Sequence, residues 1–254
     1  MGQKAQILLV KTTRLASTLL IALCFVLAYP GDAKAGTASA DDFSSFWIWG
    51  GVKAQPLLGK AEQLYILQGA VVEMRSHDES RVCVVSQGMP VARIKKGQVW
   101  LVYRVETLHW TPAIVHQLIC RLKEWQRWGN PVVGLQIDFD SGSLYLNEYA
   151  AFLRQLRSEL PAEYRLSISG LLDWSSTGDV TAINGLTDVI DEIVIQTYQG
   201  RMTIANYQTY MPALKRLCVP FRIGVVQEGE WQAPDDLERN PMFRGYVMFL
   251  LNKR

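Results

Sequence analysis

The chain has 254 residues, with 26 basic against 24 acidic side chains and a formal net charge of +2. The first 35 residues hold Lys4, Lys11, Arg14 and Lys34 against Asp32 alone, so the remaining 219 residues carry a net charge of −1. Bulk charge therefore gives no reason to expect nucleic acid as a partner, and 219 residues suffice to bury one full core.

The N-terminus reads as an export signal. A basic region is followed by the apolar run from Leu15 to Tyr29, the breakers Pro30 and Gly31, and the small-x-small triplet Ala33-Lys34-Ala35 before Gly36. That order predicts a cleavable secretory signal over residues 1–35, a single domain over residues 36–254, and a periplasmic or secreted mature protein. About 15 apolar residues fall short of the roughly 20 that span a bilayer, so no stable membrane anchor is expected; an uncleaved anchor is the alternative. Leu23 before Cys24 is too large for lipoprotein processing.

Beyond a polar leader, eight short apolar runs follow: Phe46–Trp49, Gln63–Leu67, Val99–Val105, Val132–Asp138, Arg165–Leu171, Glu192–Thr197, Phe221–Val226 and Gly245–Leu250. Continuous, β-branched runs of this length fit strands covered on both faces. Between them, Thr111-Pro112 opens a helix with Ile114, Val115, Leu118, Ile119, Leu122 and Trp125 on one stripe, ending before Gly129. A second helix carries Leu146, Tyr149, Phe152, Leu153, Leu156 and Leu160 and stops at Pro161. A third is expected from Ile204 to Leu217, with Pro212 as a possible kink, and weaker helical segments near Asp179–Leu186 and Asp235–Glu238.

Strands alternating with helices imply a parallel sheet, and eight of them a closed (β/α)8 TIM-like barrel. It is a lean barrel, with little room for a helix between Trp49 and Gln63. Residues 70–97, with Val71–Met74, Val82–Ser86 and Val91–Ile94, predict a small antiparallel insertion after the second strand. An open doubly wound sheet is the alternative, although neither GxGxxG nor GxxxxGK[ST] occurs.

In such a barrel the chemistry sits at the C-terminal ends of the strands. In Gly134-Leu135-Gln136-Ile137-Asp138-Phe139-Asp140, strand alternation puts Gln136, Asp138 and Asp140 on one face. Two carboxylates that close repel, which favours a protonated form suited to general acid work. Other strand ends add Trp47 and Trp49, Arg104 and Glu106, Asp173 and Trp174, Gln196 and Tyr198, and Gln227 and Trp231. Flat aromatics among carboxylates and amides suit a sugar, whose C–H faces stack on rings while its hydroxyls take hydrogen bonds. The bland readings are acids capping the next helix and aromatics packed in the core.

No cofactor or metal site is expected. His109 and His116 are not at metal-ligand spacing, and Cys83, Cys120 and Cys218 are scattered, permitting but not requiring one disulfide. Asp138-x-Asp140 as a divalent-cation pair is a minor alternative.

The stretch from Gly134 to Trp174, with Gln196-Thr-Tyr198-Gln-Gly200 and Ile223-Gly-Val-Val-Gln227, resembles an uncharacterised bacterial family, domain of unknown function 3142. More distantly it is similar to chitinase-like glycosidases, whose fourth strand carries alternating acids ending in a catalytic Glu. That resemblance puts Gln136 in the place of the first acid, Asp138 in that of the middle Asp, Asp140 in that of the Glu, and Tyr198 in that of a tyrosine beside the reacting sugar. It departs from the pattern at Gln136, which has no charge, and at Asp140, which is one methylene short. The expectation is a glycosidase-like hydrolase with Asp138, Asp140 and Tyr198 as catalytic residues, acting on carbohydrate or cell-envelope glycan. A catalytically silent barrel that binds glycan or a cell-envelope partner, and an assembly protein using residues 70–97, are the alternatives.

Overall fold

The computed structural model describes residues 36–49, 56–75, 80–139, 145–175 and 180–251. Eight strands are hydrogen-bonded in a closed ring, all parallel: β1 (Ser45–Ile48), β2 (Gln63–Arg75), β4 (Gln98–Val105), β5 (Val132–Asp138), β6 (Arg165–Leu171), β7 (Glu192–Gln196), β8 (Phe221–Val226) and β9 (Phe243–Phe249). Closure comes from β9 pairing with β1 through Met248–Phe46 and Phe249–Trp47, and from β1 pairing with β2 over Ser45–Ile48. The protein is thus a (β/α)8 barrel, and the open sheet is excluded.

The ring separates two apolar clusters, because strand side chains alternate between its faces. Leu135, Ile137, Leu166, Ile168, Ile193 and Ile195 point outward and join the large cluster with the helices. Trp47, Tyr65, Trp100, Val102, Val194 and Tyr198 point inward and fill the barrel, with the rings of Tyr65 and Trp100 stacked at 5.8 Å. Gly224 makes room for this filling: a Cβ there would meet the Trp47 ring at 2.9 Å.

Helix α1 (Pro112–Arg127) starts where the sequence predicts, with Thr111 at the N-cap, and buries Ile114, Val115, Leu118, Leu122 and Trp125. Helix α2 (Leu146–Glu159) buries Leu146, Tyr149, Leu153 and Leu156. A bulge after Leu67 turns Gln68 outward, where its Oε1 accepts from Trp125 Nε1 at 2.8 Å and ties α1 to β2. The barrel is lean as expected. A single turn, α3 (Val180–Asn184), follows β6, and Leu237–Arg239 is a 3-10 turn.

Two expectations are corrected. The predicted helix from Ile204 to Leu217 is a pair of 3-10 turns, Tyr207–Thr209 and Met211–Arg216. Asn206 takes a left-handed backbone (φ 57°) and Pro212 has no N–H to donate, so an α-helical ladder cannot run through. In the insertion, β2 runs on to Arg75 and pairs antiparallel with β3 (Ser80–Ser86), but Val91–Ile94 is not a strand. Its backbone groups go instead to Asn130, whose Oδ1 accepts from Ile94 N–H at 2.7 Å and whose Nδ2 donates to Ala92 O at 3.0 Å. Cys83, Cys120 and Cys218 are all free thiols.

Buried tyrosines give the fold a pH limit. Burial pushes the Tyr103 and Tyr246 hydroxyls up to about 12. Burial, and next the charge of Glu192, pushes Tyr65 well above the usual phenol range. The folded state therefore keeps protons that the unfolded chain releases near pH 10, so this stability is complete below about pH 10 and is lost as pH rises towards 12. For the enclosed Tyr103 the retained proton is worth about 1.4 kcal/mol per pH unit, and for Tyr246, nearer the surface, less because solvent screens it. The urea midpoint is expected to fall steadily across that window, and Tyr103→Phe to make the fall shallower. A midpoint flat from pH 10 to 12 contradicts this.

Candidate functional site at the barrel mouth

The inward faces of β5 to β8 carry polar groups where a small barrel would ordinarily be apolar. On β5 these are Gln136 and Asp138, on β6 Ser167 and Ser169, on β7 Glu192 and Gln196, on β8 Arg222. Depth along the strand decides what each one does.

At the N-terminal end of β7, Glu192 is buried. Its Oε1 accepts from Tyr65 Oη at 2.5 Å and Ser167 Oγ at 3.2 Å, and its Oε2 from Arg222 Nε at 3.0 Å. The next group is Gln136, 0% exposed: its Oε1 accepts from Trp47 Nε1 at 2.5 Å and its Nε2 donates to Ser167 Oγ at 2.9 Å.

At the strand ends, Asp138 is 8% exposed. Its Oδ1 accepts from Ser169 Oγ at 2.5 Å and from Gln196 Nε2 at 3.4 Å. Arg104, from the neighbouring β4, holds its Nε 4.0 Å from Asp138 Oδ2 and its guanidinium carbon 5.5 Å from the Trp49 ring centroid. Behind Asp138, burial first and then the charge of that carboxylate push the Tyr149 hydroxyl well above the usual phenol range. That hydroxyl is fully buried and has no hydrogen-bond partner among the described residues.

Beside Asp138 opens a cleft of about 490 Å³, lined by Leu171, Asp173, Gln196, Tyr198, Gly200 and Tyr210. Tyr198 is held rigid, stacked on Phe249 at 5.3 Å and edge-on to Trp47 at 6.4 Å. Polar atoms at the rim of an aromatic-walled cleft can orient hydroxyls while a ring supports an apolar face.

Of the residues singled out from sequence, Asp138, Gln196, Tyr198, Asp173, Arg104 and Trp49 gather at this end of the barrel. Asp140 lies outside the described residues. Others are placed elsewhere. Gln136 and Trp47 are bonded to each other inside the barrel, below the mouth. Trp174 is 1% exposed and packs edge-on against Tyr149. Trp231 stacks on Tyr207 at 4.8 Å, within the outer cluster. Gln227 accepts from Leu251 N–H at 2.9 Å and pins the segment just after β9. Glu106 is exposed just past β4, its backbone N–H bonded to Val71 O. Ser169, Ser167, Glu192 and Arg222 were not singled out. The alternation that turned Gln136 and Asp138 inward applies equally to Ser167-x-Ser169, Glu192-x-x-x-Gln196 and Arg222 on the neighbouring strands.

Fold and site define a parallel (β/α)8 barrel with a buried carboxylate at its C-terminal mouth. Residues 102–202 match the family model described as Domain of unknown function (DUF3142), the family the sequence resembles. No curated protein matches the chain. Among solved structures, the chain is similar to the spore cortex-lytic enzyme SleL of Bacillus cereus, at 17% identity and TM-score 0.45. That match covers 78% of this chain and 52% of SleL, so the chain spans about half of SleL's length. It is also similar to the xylanase-α-amylase inhibitor protein XAIP-I, solved with trehalose, at 12% identity over 81% of this chain and 92% of that one, TM-score 0.49. Concanavalin B matches at 13% identity over 82% and 93%, TM-score 0.45.

Depth separates scaffold from mouth in a way stability can read. Gln136→Ala strips two buried partners, Trp47 Nε1 and Ser167 Oγ, and is expected to cost about 2–4 kcal/mol. Glu106→Ala, at an exposed position, is expected to change stability by less than about 0.5 kcal/mol. Chemical denaturation of the two variants measures both, and equal effects would contradict the assignment.

Proposed function

We propose that this protein is exported and acts on carbohydrate, binding a glycan over Asp138 and hydrolysing a glycosidic bond. The observation that carries this reading is a carboxylate set at the barrel mouth by Ser169 and Gln196, next to a cleft walled by Tyr198 and Tyr210. Asp138 serves as the charged group that stabilises positive charge developing on the reacting sugar. Asp140, two residues further on, is the proton donor, tuned by the charge of Asp138. Gln196 and Tyr198 orient the sugar, with Asp173 across the cleft.

A silent glycan-binding barrel is the second reading, and Gln136 favours it. Where the chitinase-like pattern has its first acid, this chain has an amide spent on Trp47 and Ser167. One acid of that pattern has become scaffold.

Asp138→Asn and Asp140→Asn separate the readings. For a hydrolase, one of the two should abolish turnover of a glycan library while sugar binding persists, because the lost group acts chiefly in the transition state. For a silent binder there is no turnover in the parent, and each change should weaken binding by about 1–3 kcal/mol. Isothermal titration and product analysis supply the measurements. Unchanged affinity and turnover in both variants would remove these acids from the site.

Export follows from the N-terminal signal, to a periplasmic or secreted location where cell-envelope glycan is within reach. No helix among the described residues is long and apolar enough to cross a membrane. N-terminal sequencing of the exported protein is expected to begin at Gly36 or within a few residues of it. Recovery of an intact Met1 or Gly2 end in membranes would contradict cleavage.

A further inference from the structure

Arg104 and Arg222 lie on inward faces of the barrel strands, and they differ in what their donors do. Arg222 is committed: its Nε donates to Glu192 Oε2 at 3.0 Å and its Nη1 to Arg244 O at 2.6 Å. Arg104 is not. It makes no hydrogen bond to any described residue, and its approach to Asp138, 4.0 Å from Nε to Oδ2, is too long for one. Asp138 meanwhile takes donors from Ser169 and Gln196 on its other oxygen. The Arg104 guanidinium therefore stands at the mouth with its donors unspent and its side chain 45% exposed.

It is nevertheless placed, and not merely solvated. The guanidinium lies over the Trp49 ring at 5.5 Å, and Trp49 is braced edge-on by Phe249 at 5.6 Å. A cation held on an aromatic face has lost part of its freedom before any ligand arrives, so less entropy is lost when its fork engages one. The fork's parallel N–H pairs match a carboxylate.

The neighbouring charges narrow the choice of anion. Asp138 stands beside Arg104, 4.0 Å from Nε to Oδ2. A cation that already has a carboxylate for a neighbour tolerates a single added negative charge better than a dianionic phosphate.

We propose that the glycan taken at this mouth is an acidic one, and that Arg104, laid over Trp49, receives the carboxylate of a sugar acid. This rests on the carbohydrate reading above and adds the substrate class. The carboxylate could come from a uronic acid or from a lactyl-substituted amino sugar, and both present the same planar monoanion to the fork.

The test is isothermal titration of the mature protein with matched pairs. One pair is a hyaluronan hexasaccharide and its carboxyl-reduced form; the other is peptide-free peptidoglycan glycan chains and their carboxyl-reduced form. In at least one pair the acid is expected to bind tenfold or more tightly than its reduced partner, and which pair does so identifies the source. Arg104→Gln should bring that ratio close to one, and Arg104→Lys should leave it intermediate, because a point charge replaces the fork. Thermal melts confirm that both variants are folded.

Reduced and acidic forms binding equally well to the parent would overturn the acidic preference and leave the carbohydrate reading standing. A preference that survives Arg104→Gln would overturn the role of Arg104. Tighter binding of an O-sulfated glycan than of either acid would overturn the choice of carboxylate. Binding of none of the glycans would overturn this inference and the carbohydrate reading together.

Discussion

A carboxylate enclosed in a barrel is tolerable only if it is paired and its lone pairs are filled, and Glu192 sets that condition at the heart of this fold. Three donors from three other strands meet it: Tyr65 from β2, Ser167 from β6 and Arg222 from β8. Removing one partner of such a pair typically costs about 3–5 kcal/mol, because the remaining charge is left buried and uncompensated. The arrangement therefore specifies geometry more than it adds net stability. Through Ser167 it reaches Gln136, and through Gln136 it reaches Trp47, so β1, β2, β5, β6, β7 and β8 are locked together just beneath the mouth.

That locked level is what Asp138 stands on. Ser167 and Ser169 are neighbours on the inward face of β6, and each holds one carboxylate, Glu192 below and Asp138 above. Chemically the two acids are alike; depth gives them different work. Glu192 is enclosed by Tyr65, Ser167 and Arg222, whereas Asp138, at the strand end, has the half-exposed Arg104 guanidinium beside it. The same depth rule sorts the aromatics. Trp47, Trp100 and Trp174 are packed inside, whereas Trp49, Tyr198 and Tyr210 stand near the rim.

The barrel was legible because continuous, β-branched apolar runs recur with helix stripes between them; the strands lie close to the expected ranges except β2, which runs on past Leu67 to Arg75. The inward direction of Gln136 and Asp138 was legible for the same reason. Depth was not, since alternation says which face a residue takes but not whether the barrel has closed above it. Gln136 and Asp138 are two residues apart, yet one is sealed and the other reaches the mouth. Closure brings Trp47 against Gln136 across 89 positions of sequence, and no local pattern carries that pairing. Local backbone exceptions were equally hidden. Nothing about Asn206 forbids a helix, yet its left-handed conformation helps replace the expected one with 3-10 turns.

Those turns matter for how the mouth is reached. On the side of β5 and β6, α2 and the packed rings of Phe139, Tyr149 and Trp174 back the site closely. On the side of β7 and β8 the connections are a short hairpin, Tyr198–Gln199 paired with Met202–Thr203, and the two 3-10 turns. Beside them lie the cleft of about 490 Å³ and, across Ile204, a second of about 550 Å³ that includes Arg201, Glu228 and Glu230. Glu228 holds a left-handed backbone (φ 64°) at the turn after β8, a conformation that a glycine would take at lower cost. The lean side of the barrel is thus the open side.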